Sequence, residues 1–261
     1  MSEQTNDTTG EQGGENVTLF EMFKPHLIEL RTRMTWAVTS VIVGMMIGLF
    51  LVLGPTRLVD FLIVSFAPTD KPYPPLQAVG TAEVFTSYML VALVVGVIIA
   101  MPMIIYQFIA FIYPGLENES EQRFIRWALP VTTFFFLAGI AFGWFVTVPV
   151  AISFLIGFGN TTLISNQPAL SDFLRTVSLL VLVNGVVFEL PVIIYVLAML
   201  KLVSPQQLTQ YRRHAVIIVA ILAAIITPTG DPINMLLLAF PMYLLYELGI
   251  ILARLIPSTG P

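Results

Sequence analysis

Long apolar runs with almost no charge alternate along this chain with short polar, proline-rich connections. The first run, Met34 to Leu53, holds no Asp, Glu, Lys or Arg. As a helix it is about 30 Å long, matching the hydrocarbon core of a bilayer. The same reading predicts six spans, at about 34–53, 85–110, 127–148, 174–200, 215–229 and 232–252. Pro102 removes the hydrogen bond to the carbonyl of Ile98, so a kink is expected in the second span. Pro130 lies in the first turn of the third span, Pro149 closes it, and Pro191 follows Glu189 inside the fourth. The last two uncharged runs, Ala215–Gly230 and Pro232–Tyr246, have only 16 and 15 residues. Each covers about 24 Å or less, which falls short of a ~30 Å core and predicts a locally thinned flank. The fold class expected is an all-α membrane protein, a concave, proline-kinked bundle of six helices with two short final spans.

The connections divide the chain further. Residues 1–23 carry five acids and no base among Gly, Thr and Asn, a composition that predicts a disordered acidic tail. Residues 24–256 form the membrane domain and 257–261 a short tail. Pro25 suits a first helical position. From there Leu27, Leu30 and Met34 make an apolar stripe, and Glu29 precedes Arg33 by four, the favourable order for a helical ion pair. Five prolines between Gly54 and Thr81 predict an irregular cap with a short helix near 58–66. Gly157 to Pro168 reads as a neutral loop.

Composition agrees with the pattern. Hydrophobic residues make up 57% and charged ones 11%, against roughly a quarter charged in soluble domains. Without cysteine there is no disulfide, iron–sulfur or thiolate zinc site. The net charge of −4 with no basic patch gives no reason to expect nucleic acid, and no cofactor is expected. Lys24, Arg31, Arg33, Arg123, Arg126, Lys201, Arg212, Arg213 and Arg254 fall on one side of the six spans, and Arg57, Lys71 and Arg175 on the other. By the positive-inside rule the first side, with both termini, is cytoplasmic, in the plasma (inner) membrane.

Glu189 is the ionisable group placed deepest in a predicted span. A mid-span carboxylate costs about 2.5–3.5 kcal/mol on insertion scales. It reads either as a neutral carboxyl in a structural hydrogen bond at the Pro191 kink, with Asn184 helping to solvate it, or as a polar docking point in a membrane groove. A proton-coupled secondary transporter using Glu189 is the alternative function. That class often shows paired halves, and no internal repeat is visible. His26 and His214 both sit at membrane boundaries, so no zinc-hydrolase pattern forms. No nucleotide-binding loop is present, and the chain reads as a non-enzyme. Glu247 reads as an interfacial anchor.

Several stretches together resemble one family. His26-Leu27-Ile28-Glu29-Leu30-Arg31 resembles the amino-terminal signature of TatC, the core subunit of the twin-arginine protein translocase. Tyr106 to Leu116, with Phe111, is similar to the end of that family's second span and its first cytoplasmic loop. Phe188-Glu189-Leu190-Pro191 matches its intramembrane Glu, and Thr227-Pro228 with Asp231-Pro232 matches its Thr-Pro-Pro-Asp turn with one extra residue. Phe240 to Gly249 matches its last span. The resemblance implies a receptor and scaffold that binds the twin-arginine signal peptides of folded passengers and is driven by the proton-motive force. It implies that Glu29 and a loop carboxylate read the paired arginines, beside Arg31 and Phe111. Where the family has that loop Glu, this chain has Ser120; a one-residue insertion restores it as Glu121, with Glu119 as the other candidate. The resemblance also implies single-span partner subunits of the TatA/TatB type docking along the last two helices, and self-association; the groove at Glu189 would take either a partner helix or the passenger segment. Thr227 and Asp231 fit that surface, and Asn234 stands one position before Met235, which replaces the family's Gln.

Overall fold

The computed structural model describes residues 12–67, 76–112, 119–157, 168–227 and 231–256, with side chains from residue 27 onward except at 112 and 119–127. Ten α-helices appear among the described residues: α1 (Gln12–Leu53), α2 (Leu58–Phe66), α3 (Glu83–Ile112), α4 (Glu119–Phe142), α5 (Val148–Gly157), α6 (Leu170–Val187), α7 (Leu190–Met199), α8 (Pro205–Gln210), α9 (Arg212–Ile226) and α10 (Pro232–Arg254). A five-residue π turn, Gly143–Thr147, joins α4 to α5. Five stretches are long and apolar enough to cross a membrane: Leu27–Leu53, Glu83–Phe111, Ala128–Gly157, Leu170–Met199 and Pro232–Arg254. The molecule is an all-helical, multi-pass membrane protein.

Two expectations change. Helix α1 starts at Gln12, inside the acidic segment expected to lack structure. Once a helix is nucleated, each added residue costs little, so a stable span extends into a polar flank. The last span is also not short: α10 runs 23 residues, about 34 Å, through Glu247. Counting uncharged residues ended it too early, because the Glu247 carboxylate is paired with Arg212 at 2.7 Å and accepts from Tyr243 Oη at 3.0 Å. Only α9, with 15 residues, stays short. Helix α3 runs on through Pro102 and α4 through Pro130, while the fourth span breaks at Phe188–Glu189, where Pro191 led a kink to be expected.

The break has a local cause. Pro191 has no N–H to give the Val187 carbonyl. Instead Glu189 N donates to Val186 O at 3.1 Å, a tighter i−3 bond, and helix restarts at Leu190.

Close packing sets the rest. Helix α1 lies along α3, where Gly44 and Gly48 face Gly96 and Ala92 so tightly that a Cβ at Gly44 would overlap the Gly96 carbonyl oxygen. One end of the bundle is capped. There Gln77 N donates to Pro168 O, Leu170 N donates to Gln77 O, and the Glu83 carboxylate accepts from the N–H groups of Gly80 and Ser171. Trp144 packs there against Phe61 and Phe66 of α2. The opposite end carries Arg31, Arg33, Lys201, Arg212, Arg213 and Arg254 and is called the charged end below.

Candidate functional site

At the charged end, Glu29 sits on the outer half of α1 with its side chain 32% exposed. Arg33, one turn on, donates from Nε (3.0 Å) and Nη2 (2.6 Å), both to Glu29 Oε1. The helical spacing makes this pair almost unavoidable. A part-buried helical pair of this spacing contributes about 0.3–0.5 kcal/mol, so another guanidinium can displace it. Arg31 is exposed on the neighbouring face, and Phe111 is half-buried in the last turn of α3. Glu121 lies in the first turn of α4, and its side chain, like that of Glu119, is outside the described residues.

Deeper in the bundle, Glu189 is buried, 7% exposed. Its Oε1 has no hydrogen-bond partner among the described residues. Asn184 does not solvate it, contrary to the expectation from sequence. Its amide instead donates to Leu180 O (2.8 Å) and accepts from Thr147 Oγ1 (3.3 Å). Glu189 borders a cavity of about 240 Å³ whose walls come from α3 (Ile105, Phe108), α4 (Ala128, Thr132) and α7 (Val192, Val196). Thr132 spends its hydroxyl on Ala128 O of its own helix, so the walls are apolar apart from the carboxyl. An apolar slot with a single acceptor at its inner end suits an apolar segment that carries one hydrogen-bond donor.

At the other end of α10, Asp231 caps the helix. Its Oδ1 accepts from Asn234 N and its Oδ2 from Asn234 Nδ2, both at 2.7 Å. Asn234 is fully buried, and Thr227, 5% exposed, donates to Ala223 O at 2.5 Å. These bonds of the three side chains stay within the ends of α9 and α10. Ile225, Ile233 and Leu236 are the ones that face outward there.

The sequence reading missed the Arg212–Glu247–Tyr243 cluster, the π turn and the glycine contacts. Two signals for the glycines were present, the Gly-x-x-x-Gly spacings at 44–48 and 139–143. No group of three or more metal-ligating side chains occurs among the described residues.

Comparison with known proteins now decides the family. Residues 25–241 match the model of the Sec-independent protein translocase protein TatC. The chain belongs to the TatC family. A TatC from Carboxydothermus hydrogenoformans is 34% identical over 92% of this chain and 94% of its own length. One from Deinococcus radiodurans is 36% identical, covering 90% and 87%. A crystal structure of a twin-arginine translocase receptor, TatC, superposes with a TM-score of 0.74 at 31% identity, covering 88% of this chain and 98% of that one. A second such structure, in DDM, gives 0.76. As a TatC, the chain is a subunit of the twin-arginine translocase, a component of multi-subunit protein-transport machinery and not an enzyme.

Proposed function

We propose that this chain is the receptor subunit that binds twin-arginine signal peptides at the cytoplasmic face and nucleates export of folded passengers, driven by the proton-motive force. The observation that carries the reading is Glu29. It is a carboxylate at the charged end of a TatC-family chain, held by an ion pair within its own helix that an incoming arginine can replace. A guanidinium is planar, always charged and able to make paired bonds to a carboxylate. Glu121 is the second carboxylate of the pair, with Arg31 and Phe111 flanking it. The charged end is cytoplasmic, α9 is the sixth crossing element beside the five long spans, and both termini face the cytoplasm of a plasma (inner) membrane. Single-span partner subunits dock in the slot beside Glu189 and along the outward side chains where α9 ends and α10 begins, Ile225, Ile233 and Leu236, with Thr227, Asp231 and Asn234 supporting those helix ends. Copies of the chain assemble with each other in that complex.

The test is equilibrium binding of a twin-arginine signal peptide to the purified protein in detergent. Charge-assisted bonds contribute about 1.5–3 kcal/mol each, so Glu29→Gln should weaken binding about tenfold or more. Glu29→Lys should abolish it, and a signal with its two arginines changed to lysines should bind weakly to the parent protein. Parent-like binding by a folded Glu29→Lys variant overturns the reading.

A further inference from the structure

The slot beside Glu189 lies between two bodies that are packed separately. On one side, Ile105 and Ile109 of α3 bury themselves against Ala128 of α4. On the other, α7 packs on α10 through Ile194, Ala198 and Ala253, and Val219, Ala223 and Leu238 join α9 to the same body. Helix α7 makes its main tertiary contacts with α10, with little contact to α3 or α4. Towards the capped end, a single core unites α3, α5 and α6 through Val91, Val148, Leu174 and Val177. The end of α6 links the two bodies, since Val187 packs into the α9–α10 cluster, while among the described residues Ile105, Ile109 and Ala128 share no core with α7.

Two backbone irregularities mark the level where they join. One is the π turn Gly143–Thr147, and the other is the break between α6 and α7. They meet side by side. Thr147 Oγ1 donates to Asn184 Oδ1 at 3.3 Å, and the rings of Phe142 and Phe188 lie 5.4 Å apart. Backbones touch at this level, since a Cβ on Gly139 would overlap the Asn184 carbonyl oxygen. A π turn departs from the regular i→i−4 ladder, and a proline break lacks one of its bonds, so both sites bend more easily than continuous α-helix. The close backbone contact supplies a fixed pivot. Beyond it the slot walls are apolar, and such contacts have no preferred direction to restrain small changes in separation.

We propose that this level is a hinge, about which the α7–α9–α10 body swings relative to the charged-end halves of α3 and α4, so that the slot beside Glu189 changes width. The proposal concerns the motion of the walls and stands whichever segment occupies the slot.

The chain has no cysteine, so paired spin labels can be placed without background. Phe108 on α3 and Ile193 on α7 are both exposed and both line the slot. Val64 on α2 and Val150 on α5, also exposed, serve as a control pair at the capped end. Distances are measured by pulsed electron resonance on the full chain in lipid nanodiscs. A broad or two-component distribution at 108/193 beside a narrow one at 64/150 is the expected result. Thr147→Val, which removes the pivot hydrogen bond, should shift the 108/193 distribution, while Thr147→Ser should not. Equally narrow distributions at both pairs overturn the hinge. A Thr147→Val distribution identical to the parent's overturns its placement at the π turn.

Discussion

Single side chains decide two of the expected outcomes. Arg33 competes with any ligand arginine for Glu29, through an ion pair worth about 0.3–0.5 kcal/mol. Arg33→Gln should therefore tighten signal-peptide binding about twofold, because the ligand no longer displaces a cation. Equilibrium titration checks this. Weakening on the scale of Glu29→Gln would show that Arg33 positions the carboxylate instead. Glu189 poses a different question, since its Oε1 is buried beside an apolar slot. Glu189→Gln keeps a hydrogen-bonding end and should nearly preserve export. Glu189→Leu should insert normally but impair export after signal binding. Loss of export in the Gln variant with binding intact would favour a titrating role over docking. At this scale the sequence was readable where the geometry is local: the Glu29–Arg33 pair needs only the helical repeat. It was not readable for Asn184, Thr227 or Asn234. Which way their polar ends turn depends on neighbours 37 residues away in one case and on a helix cap in the others.

Between helices, the sharpest constraint is the crossing of α1 and α3. A methyl at Gly96 would meet backbone atoms of Met45 and Gly44, which cannot swing aside as a side-chain end can. Gly96→Ala should destabilise by about 1–3 kcal/mol, the usual cost of forcing atoms into a full core. Gly157 at the end of α5 has nothing within 4 Å of the position of a Cβ, so Gly157→Ala should leave stability nearly unchanged. Thermal unfolding of both variants in detergent gives the comparison, and equal effects would contradict the packing argument. Glu247 offers a second test. It holds Arg212 of α9 against α10, so Glu247→Arg should loosen that end, and adding Arg212→Glu should restore it if opposite charge is what matters. Element positions followed from apolar runs: long apolar helices overlie five of the expected runs, and α2 overlies the short helix expected near 58–66. Their lengths did not always follow. A charge reads as the end of a span only if it is unpaired, and Glu247 is paired by a residue 35 positions earlier. The π turn left no trace in the apolar pattern, and its contacts to α6, Gly143 against Val181 and Thr147 against Asn184, join residues 37 or more positions apart.

Across the whole molecule, α9 is out of scale with its neighbours. Its 15 residues give about 22 Å, against about 34 Å for the 23 residues of α10 beside it. Arg212 and Arg213 fix its first turn at the charged interface, and Ile225, 13 residues further, then lies about 20 Å deep. In an undeformed core of about 30 Å that leaves some 10 Å of hydrocarbon above it. A membrane-impermeant maleimide could not reach a cysteine there. If the bilayer thins around this flank instead, as mismatch predicts, the residue meets the opposite interface. Ile225 is 74% exposed and Ile221, one turn deeper, 54% exposed, so neither is shielded by protein. With the reagent added from the side opposite the charged end, Ile225→Cys should label readily in native membranes and Ile221→Cys should stay protected. Protection of both would mean that α9 ends inside an unthinned bilayer with its terminal carbonyls unmet by water. In that case the short helix must be satisfied by a partner chain, and labelling of Ile225→Cys should then appear only when that partner is removed.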